Sequence, residues 1–452
     1  MKHTLLAGIA LSLWSCQAQE QPIDLKISNV TVIDIQNDQL IPSQTVLISQ
    51  DQILDVVDTD ETNVKAIQEV DGTGLFIMPG LWDNHVHFGG AEYVDENEQL
   101  LPLYLSMGVT SVRDAAGDIS MDVLQWRDEI KEGERIGPHI YTSGPKLEGK
   151  GSIWPGDLEI ASEEELKVAL DSLEKLQVDF IKITDNALEP TLFLEAVKQA
   201  SARGWSVSAH IPSALDLMDL AESGLTTIEH LGYITRIEGE NEAETIENLK
   251  QLRDLGTGIV PTLLISDNIA YWEPGKFESD TILQYLGPKL KESYTWRIDR
   301  LKNDTEEARE NRQRNFEKVT TFLPLIQQSG MKIYAGTDAG YLNSYDYPGL
   351  AIHLELQKMV EFGLSPQEAL TASVIHGPDY FGLNEFGAVA KGKKADLILL
   401  RANPLEQIQN TQQLEMVIFE GKVFDRQQLN QMQQEIKTWV SNKEKAINAA
   451  KE

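Results

Sequence analysis

One cysteine, Cys16, stands in a chain of 452 residues, so no disulfide can form within it. Past residue 15 no apolar run is long enough to cross a membrane as a helix. Basic residues are scarce as well: 39 Lys and Arg face 71 Asp and Glu, a formal net charge of −32. A surface of that sign repels phosphate backbones, which argues against nucleic acid as a partner. No low-complexity tract is present, and a composition of 41% hydrophobic and 24% charged residues is that of a globular chain. The length suits one barrel of ordinary size with a smaller domain beside it.

The chain opens Met1-Lys2-His3, runs apolar from Leu5 to Trp14 and reaches Leu13-Trp14-Ser15-Cys16. That is the outline of an export signal over residues 1–15, too short to span a bilayer as a mature helix. The segment resembles a bacterial lipoprotein signal, in which the residue at the place of Cys16 becomes the acylated N-terminus. The resemblance implies lipidation at Cys16 and an anchor in the cell envelope. Gln17, where an acidic residue would favour inner-membrane retention, points to the outer membrane. A plain secretory signal on a soluble periplasmic protein is the alternative.

Between residues 24 and 70 short runs alternate apolar and polar positions, as in Val30-Thr31-Val32-Ile33 and Thr45-Val46-Leu47-Ile48. Such runs return at Ala395 to Leu400 and Met416 to Phe419. The period of two predicts antiparallel strands and one small β-sandwich built from both termini, residues 24–79 with 386–426. The last stretch, 427–452, is charged and free of Gly and Pro, which predicts a helix. Eight short apolar cores lie between, separated by helical patterns such as Glu163 to Leu176 and Leu192 to Ala202. They are Phe76 to Met78, Thr110 to Val112, Ile140 to Thr142, Phe180 to Ile183, Ser206 to Ala209, Thr226 to Ile228, Gly258 to Val260 and Lys332 to Ala335. This alternation predicts an α/β fold, a (β/α)8 TIM barrel over residues 80–385. The stretch from Ser266 to Leu325 reads as an insertion beside or over the barrel mouth.

In such a barrel reactive groups collect at the carboxyl ends of the strands, and six residues fall there. His85 and His87 follow the first apolar run, two apart and therefore on one face. Lys182 interrupts the fourth strand, Phe180-Ile181-Lys182-Ile183, where a bare ammonium costs several kcal/mol unless paired, with Asp185 for instance, or modified. His210 closes the fifth strand, His230 the sixth, and Asp338 follows the eighth in Gly336-Thr337-Asp338-Ala339-Gly340. Together they can build a cage for two metal ions. His139, His353 and His376 sit in structural settings.

With Asp83-Asn84-His85-Val86-His87, Val112-Arg113-Asp114-Ala115-Ala116-Gly117, Ala335 through Gly340 and Gly392-Lys393-Lys394-Ala395-Asp396-Leu397 on the page, the chain resembles the metal-dependent amidohydrolase superfamily. The likeness is to the branch holding prolidase-like dipeptidases and imidazolonepropionase-like enzymes. It implies that His85, His87 and Asp338 bind a first divalent metal and His210 and His230 a second. Zinc is the first choice, with manganese, iron or cobalt as alternatives. Lys182, carboxylated by carbon dioxide to a carbamate, would bridge the two, and this lysine separates the chain from the one-metal deaminase branch. The implied activity is hydrolysis of an amide bond in a small molecule, a dipeptide or N-acyl amino acid, by a metal-bridging hydroxide with Asp338 as proton shuttle. Tyr233 is the expected oxyanion donor and substrate contact, or else a packed aromatic. Arg113 is offered as a substrate carboxylate partner, or else as the partner of Asp114 or another acid. Trp154, Tyr271 and Trp272 stand on loops that can line the pocket or simply pack. Where dipeptidases of the branch continue with a glycine-rich turn after the strand-five histidine, this chain reads His210-Ile211-Pro212-Ser213. A cyclic amide, lactone or phosphotriester is the second substrate class, and a non-catalytic ligand-binding lipoprotein the remaining alternative.

Overall fold

The computed structural model describes residues 23–115, 117–343 and 345–451. The export signal and Cys16 lie outside the described residues. Both ends of the chain meet in one eight-stranded sheet: Leu25–Asp34, Gln39–Ser49, Gln52–Asp58, Gln68–Asp71 and Phe76–Pro79 join Leu397–Leu400, Leu414–Phe419 and Lys422–Asp425. The seam is Phe76–Pro79, antiparallel to Leu397–Leu400 on one side and parallel to the middle of Leu25–Asp34 on the other. Alternate residues Leu25, Ile27, Val46, Ile48, Ile77, Leu397, Leu399 and Ile418 bury one face in a core of their own. This single mixed sheet stands where a two-layered sandwich was expected. The reason is the length of Leu25–Asp34, which pairs along one edge with Gln39–Ser49 and along the other with both Gln68–Asp71 and Phe76–Pro79.

Phe76 to Met78, expected to be the first barrel strand, therefore belongs to the terminal sheet, and Leu81–His87 takes the barrel position after Gly80. Its apolar alternation is hidden in the sequence because Asp83, Asn84 and His85 are polar yet fully buried. The parallel strands of the α/β layer are registered as two sheets. Leu81–His87, Val109–Asp114 and His139–Thr142 form one with the short Ala339–Gly340. Leu147–Gly149, Ile181–Ile183, Val207–Ala209, Thr227–Glu229 and Gly258–Val260 form the other with Leu158–Ile160 at its edge. The expected barrel is thus not closed as one continuous ladder. Strands of three or four residues offer one or two ladder bonds each, so the seams are carried by single contacts. A lone parallel bridge joins Ile259 to Ile333, Asn84 N donates to Ala335 O at 2.9 Å, and Asp179 N donates to Thr142 O at 2.9 Å.

Helices alternate with these strands, and Glu163–Leu176 illustrates why. The Ser162 hydroxyl accepts from Glu165 N and starts the helix, three glutamates occupy the first turn, and Leu166, Ala169, Leu170 and Leu173 recur at helical spacing to bury one face. Gln177 in the left-handed region ends it. The 266–325 segment folds into short helices, among them Thr295–Ile298 and the longer Glu306–Thr320. The final helix, Arg426–Lys451, packs through Leu429, Ile436 and Val440. No helix among the described residues is long and apolar enough to cross a membrane.

Candidate metal centre

His85 and His87 project from the carboxyl end of Leu81–His87 to the same side, their Nε2 atoms 3.2 Å apart. Asp338 joins them across the seam: its Oδ1 lies 2.7 Å from His87 Nε2 and 3.4 Å from His85 Nε2. These three form a cluster whose ligand atoms could hold one ion. Asp338 is kept in place by backbone, its N donating to His85 O at 2.7 Å, while its own φ is +69°, a left-handed conformation that costs a non-glycine residue on the order of 1 kcal/mol or more. The neighbouring loop supplies the restraint. Buried Asp83 accepts from Thr337 N at 3.0 Å and from Thr337 Oγ1 at 2.8 Å, stitching the first strand to the Asp338 loop. Gly336 is required there, because a Cβ would meet Val260 Cγ1 at 2.6 Å and His85 N at 2.8 Å. Its bareness serves packing against the first strand rather than approach to a bound group.

His210 and His230 form a second pair, Nε2 to Nε2 at 3.0 Å, and the His85 and His230 rings lie 5.2 Å apart, so the four imidazoles are one group. His230 has φ +73°, which lets Glu229 and His230, adjacent in sequence, both turn inward from the end of Thr227–Glu229. Thr262 Oγ1 lies 2.8 Å from His230 Nδ1 and fixes that ring. Glu229 fixes the other side of the group, its Oε2 facing His85 Nδ1 at 2.5 Å. Arg113 in turn donates Nη2 to both Glu229 oxygens at 2.8 and 2.9 Å, and Nε to Asn84 O at 2.6 Å. Burial opposes ionisation of Glu229, yet Arg113, Lys182 and His85 hold its carboxyl well below the ordinary range. An ionised Glu229 presents Nε2 of His85 to the centre as a lone pair.

Lys182 lies in the middle of Ile181–Ile183, fully buried, and its Nζ has no hydrogen-bond partner among the described residues. Burial pushes its ammonium down to about 8 against the pull of Glu229. Burial likewise lowers His85 to about 3 and His230 to about 4, and pushes His210 well down. These three imidazoles are therefore neutral at neutral pH, the form that ligates metal. Two nitrogens bound about 2.1 Å from one tetrahedral ion sit about 3.4 Å apart. The 3.2 and 3.0 Å separations of the two histidine pairs fit that spacing, and an orphaned amine beside them fits a group that is modified.

One pocket, with about 510 Å³ of space including its open mouth, gathers His87, Lys182, His210, His230 and Asp338. Tyr233 stacks over His210 with ring centroids 6.2 Å apart. Arg113 is corrected from its expected place: wholly buried, it spends its donors on Glu229, Asn84 and Ser208, and the acid it pairs with is Glu229 rather than Asp114 or a substrate. Trp154 lines the pocket, whereas Trp272 is buried in the hydrophobic core and Tyr271 bonds Glu317 on the surface. His139 pairs with Asp396, His353 bonds Thr411 and Met107 O, and His376 bonds Ile333 O, all in structural roles. Glu229 and Arg297 escaped the sequence reading. Glu229 had a signal, a carboxylate inside an apolar strand core next to His230; Arg297 arrives from the insertion and had none. Replacing Glu229 with Gln leaves Arg113 buried without its counter-charge, so the unfolding free energy in denaturant is expected to drop by about 3 kcal/mol and zinc affinity by about 10- to 100-fold.

The signature of the Amidohydrolase family matches residues 76–424. Ochratoxinase of Aspergillus niger is 26% identical over 390 residues, covering 74% of this chain and 71% of that protein. Among solved structures, a candidate prolidase from Bifidobacterium longum superposes with a TM-score of 0.69 at 25% identity, over 92% of this chain and all of that one. A Xaa-Pro dipeptidase with methionine in its active site superposes with a TM-score of 0.69 at 20% identity, over 89% of this chain and 99% of the other, a likeness of fold.

Proposed function

Because this chain belongs to the amidohydrolase family, we propose that it is a binuclear metal-dependent hydrolase cleaving an amide bond in a small molecule, with a dipeptide or N-acyl amino acid as substrate. One observation carries this: four adjoining imidazoles, Asp338 and a buried lysine with no hydrogen bond among the described residues form one cluster, and all of them but His85 line one pocket. The name of one relative, a candidate prolidase, favours a dipeptide. His85, His87 and Asp338 would hold one divalent cation, His210 and His230 the other, and Lys182 would bridge them. When bound, such ions, zinc by donor type, lower the pKa of a water and polarise a carbonyl.

The bridging role needs Lys182 as its carbamate. A neutral amine attacks carbon dioxide, the N–C bond forms, one C=O electron pair moves to oxygen, and the ammonium proton departs to solvent. The lowered Lys182 pKa makes the neutral amine accessible near neutral pH, and Arg113 adds positive charge nearby. Asp338 is the proton shuttle: its Oδ2 is buried with no hydrogen bond, while Asn343 Nδ2 donates to Oδ1 at 3.0 Å and fixes the carboxylate plane. In hydrolysis a water oxygen bonds to the carbonyl carbon, the C–N bond breaks, and Asp338 carries the water proton to the departing nitrogen. Tyr233, whose hydroxyl bonds no other described residue, supports the developing oxyanion. Tyr233→Phe is expected to lower kcat by about 10²-fold with KM little changed, measured by steady-state kinetics on the best substrate. A kcat within a factor of about two of the parent would leave Tyr233 as packing.

The test of the activity is a panel of dipeptides, N-acyl amino acids, lactones and a phosphotriester assayed on the metal-loaded protein. Release of free amine from the first two classes is expected. Turnover confined to lactones or phosphotriesters would replace the amide reading, and no turnover at all, with tight binding of a panel member, would favour a binding protein. Division into a terminal β unit and a metal-binding barrel, export, and a lipid anchor on Cys16 belong to the same proposal; they rest on residues 1–17 and on the strand periodicity.

A further inference from the structure

Arg297 stands on the short helix Thr295–Ile298 of the 266–325 segment, and its guanidinium lines the pocket shared by Lys182, His210, His230 and Asp338. No hydrogen bond joins that side chain to any described residue, and its Nε is buried without a partner. The guanidinium is ion-paired with Asp338, Oδ2 3.6 Å from Nη2, but too far for a hydrogen bond, so its N–H donors stay unspent. Other cations around the site are engaged. Lys146 pairs with Asp157 at 3.3 Å and lies 5.3 Å from the Trp154 ring centroid, Arg113 is locked to Glu229, and Arg236 donates to backbone oxygens of Pro212 and Leu215. Arg297 is also held over the pocket rather than left to swing. Trp296, the residue before it, packs against Trp154 with centroids 5.2 Å apart, and the Arg300 guanidinium covers its ring at 4.0 Å.

A guanidinium with free donors, fixed at the mouth of a site beside the reacting groups, matches the two oxygens of a carboxylate. We infer that Arg297 receives the free carboxylate of the substrate's amine-side residue, with Trp154 packing against its apolar part, so that the enzyme selects acyl amino acids and peptides ending one residue past the scissile bond. This rests on the amide-hydrolase reading above and assigns to Arg297 the role that buried Arg113 cannot fill.

The test separates binding from turnover. The full chain loaded with zinc is titrated calorimetrically with 3-phenylpropionate and with neutral 3-phenylpropan-1-ol, neither of which can be hydrolysed. The parent protein is expected to prefer the carboxylate by about 10- to 100-fold. Arg297→Met should erase that preference, and Arg297→Lys should restore part of it. No preference in the parent, or an undiminished preference in Arg297→Met because the carboxylate sits on the metal ions alone, would overturn the assignment. On the amide panel, Arg297→Met should raise KM for carboxylated substrates, relative to their carboxamides, by a similar factor. A parent that binds 3-phenylpropionate through Arg297 but hydrolyses no amide would refute the activity and leave the carboxylate subsite standing.

Discussion

Replacing Lys182 with Met abolishes amide hydrolysis, with kcat/KM falling by at least about 10³-fold, a loss of about 4 kcal/mol in transition-state stabilisation. The side chain removed is nearly isosteric, so the expected loss is chemical and not steric. Lys182 sits within Ile181–Ile183 with its amine buried and without a hydrogen bond among the described residues, and the cost of burying the charge outweighs the pull of Glu229. The metal-free Lys182→Met variant should therefore be at least as stable as the parent in urea, while losing activity and most of one or both metal equivalents. That split distinguishes a functional lysine from a structural one. A variant that keeps full activity and metal content would remove Lys182 from the site. A variant that unfolds would make the amine part of the fold's own support, contrary to its lack of a hydrogen bond among the described residues.

Replacing Asp338 with Asn comes second in size. The amide keeps the shape and the restraint from the backbone bond to His85 O, yet it cannot take up a proton. Burial raises the cost of charge on Asp338, but His87, Arg297 and His85 outweigh it and hold the carboxyl well below its ordinary range, so the base form is present throughout neutral pH. Removal of a positioned general base costs about 10²- to 10⁴-fold. The expected result is a kcat lower by about 10³-fold, within that range, with KM changed far less. Because Asp338 also ligates in this account, metal content must be measured on the same preparation. Loss of rate at full metal occupancy isolates the proton-transfer role. A kcat within about tenfold of the parent at full occupancy would assign the shuttle to another group.

That His85, His87, Lys182, His210 and His230 would lie together was readable because a strand writes its direction into alternate positions. His85 and His87 two apart, and Lys182, His210 and His230 at the ends or middle of short apolar runs, need only the strand period and the rule that such ends carry chemistry. What could not be read depends on contacts between distant segments. Phe76–Pro79 reads both as a barrel core and as the end of the 24–79 terminal unit, and only its pairing with Leu397–Leu400, more than three hundred residues away, decides for the terminal sheet. Arg113 reads as a substrate contact or as the partner of Asp114 or another acid, and Glu229 as one acid within an apolar strand. Only their 2.8 Å contact across the parallel layer turns them into the support for His85. The same holds for Arg297: the 266–325 segment reads as an insertion at the barrel mouth, but nothing in it marks which residue reaches the pocket.

The account's central claim is a carbamate on Lys182 joining two cations held by His85, His87, His210, His230 and Asp338. A crystal of the zinc-loaded protein, recorded at the zinc absorption edge, tests it most directly. The account predicts two anomalous peaks, one beside His85 and His87 and the other beside His210 and His230, with continuous density running from Lys182 Nζ to both. An unmodified amine with a single peak, or with none, would contradict it.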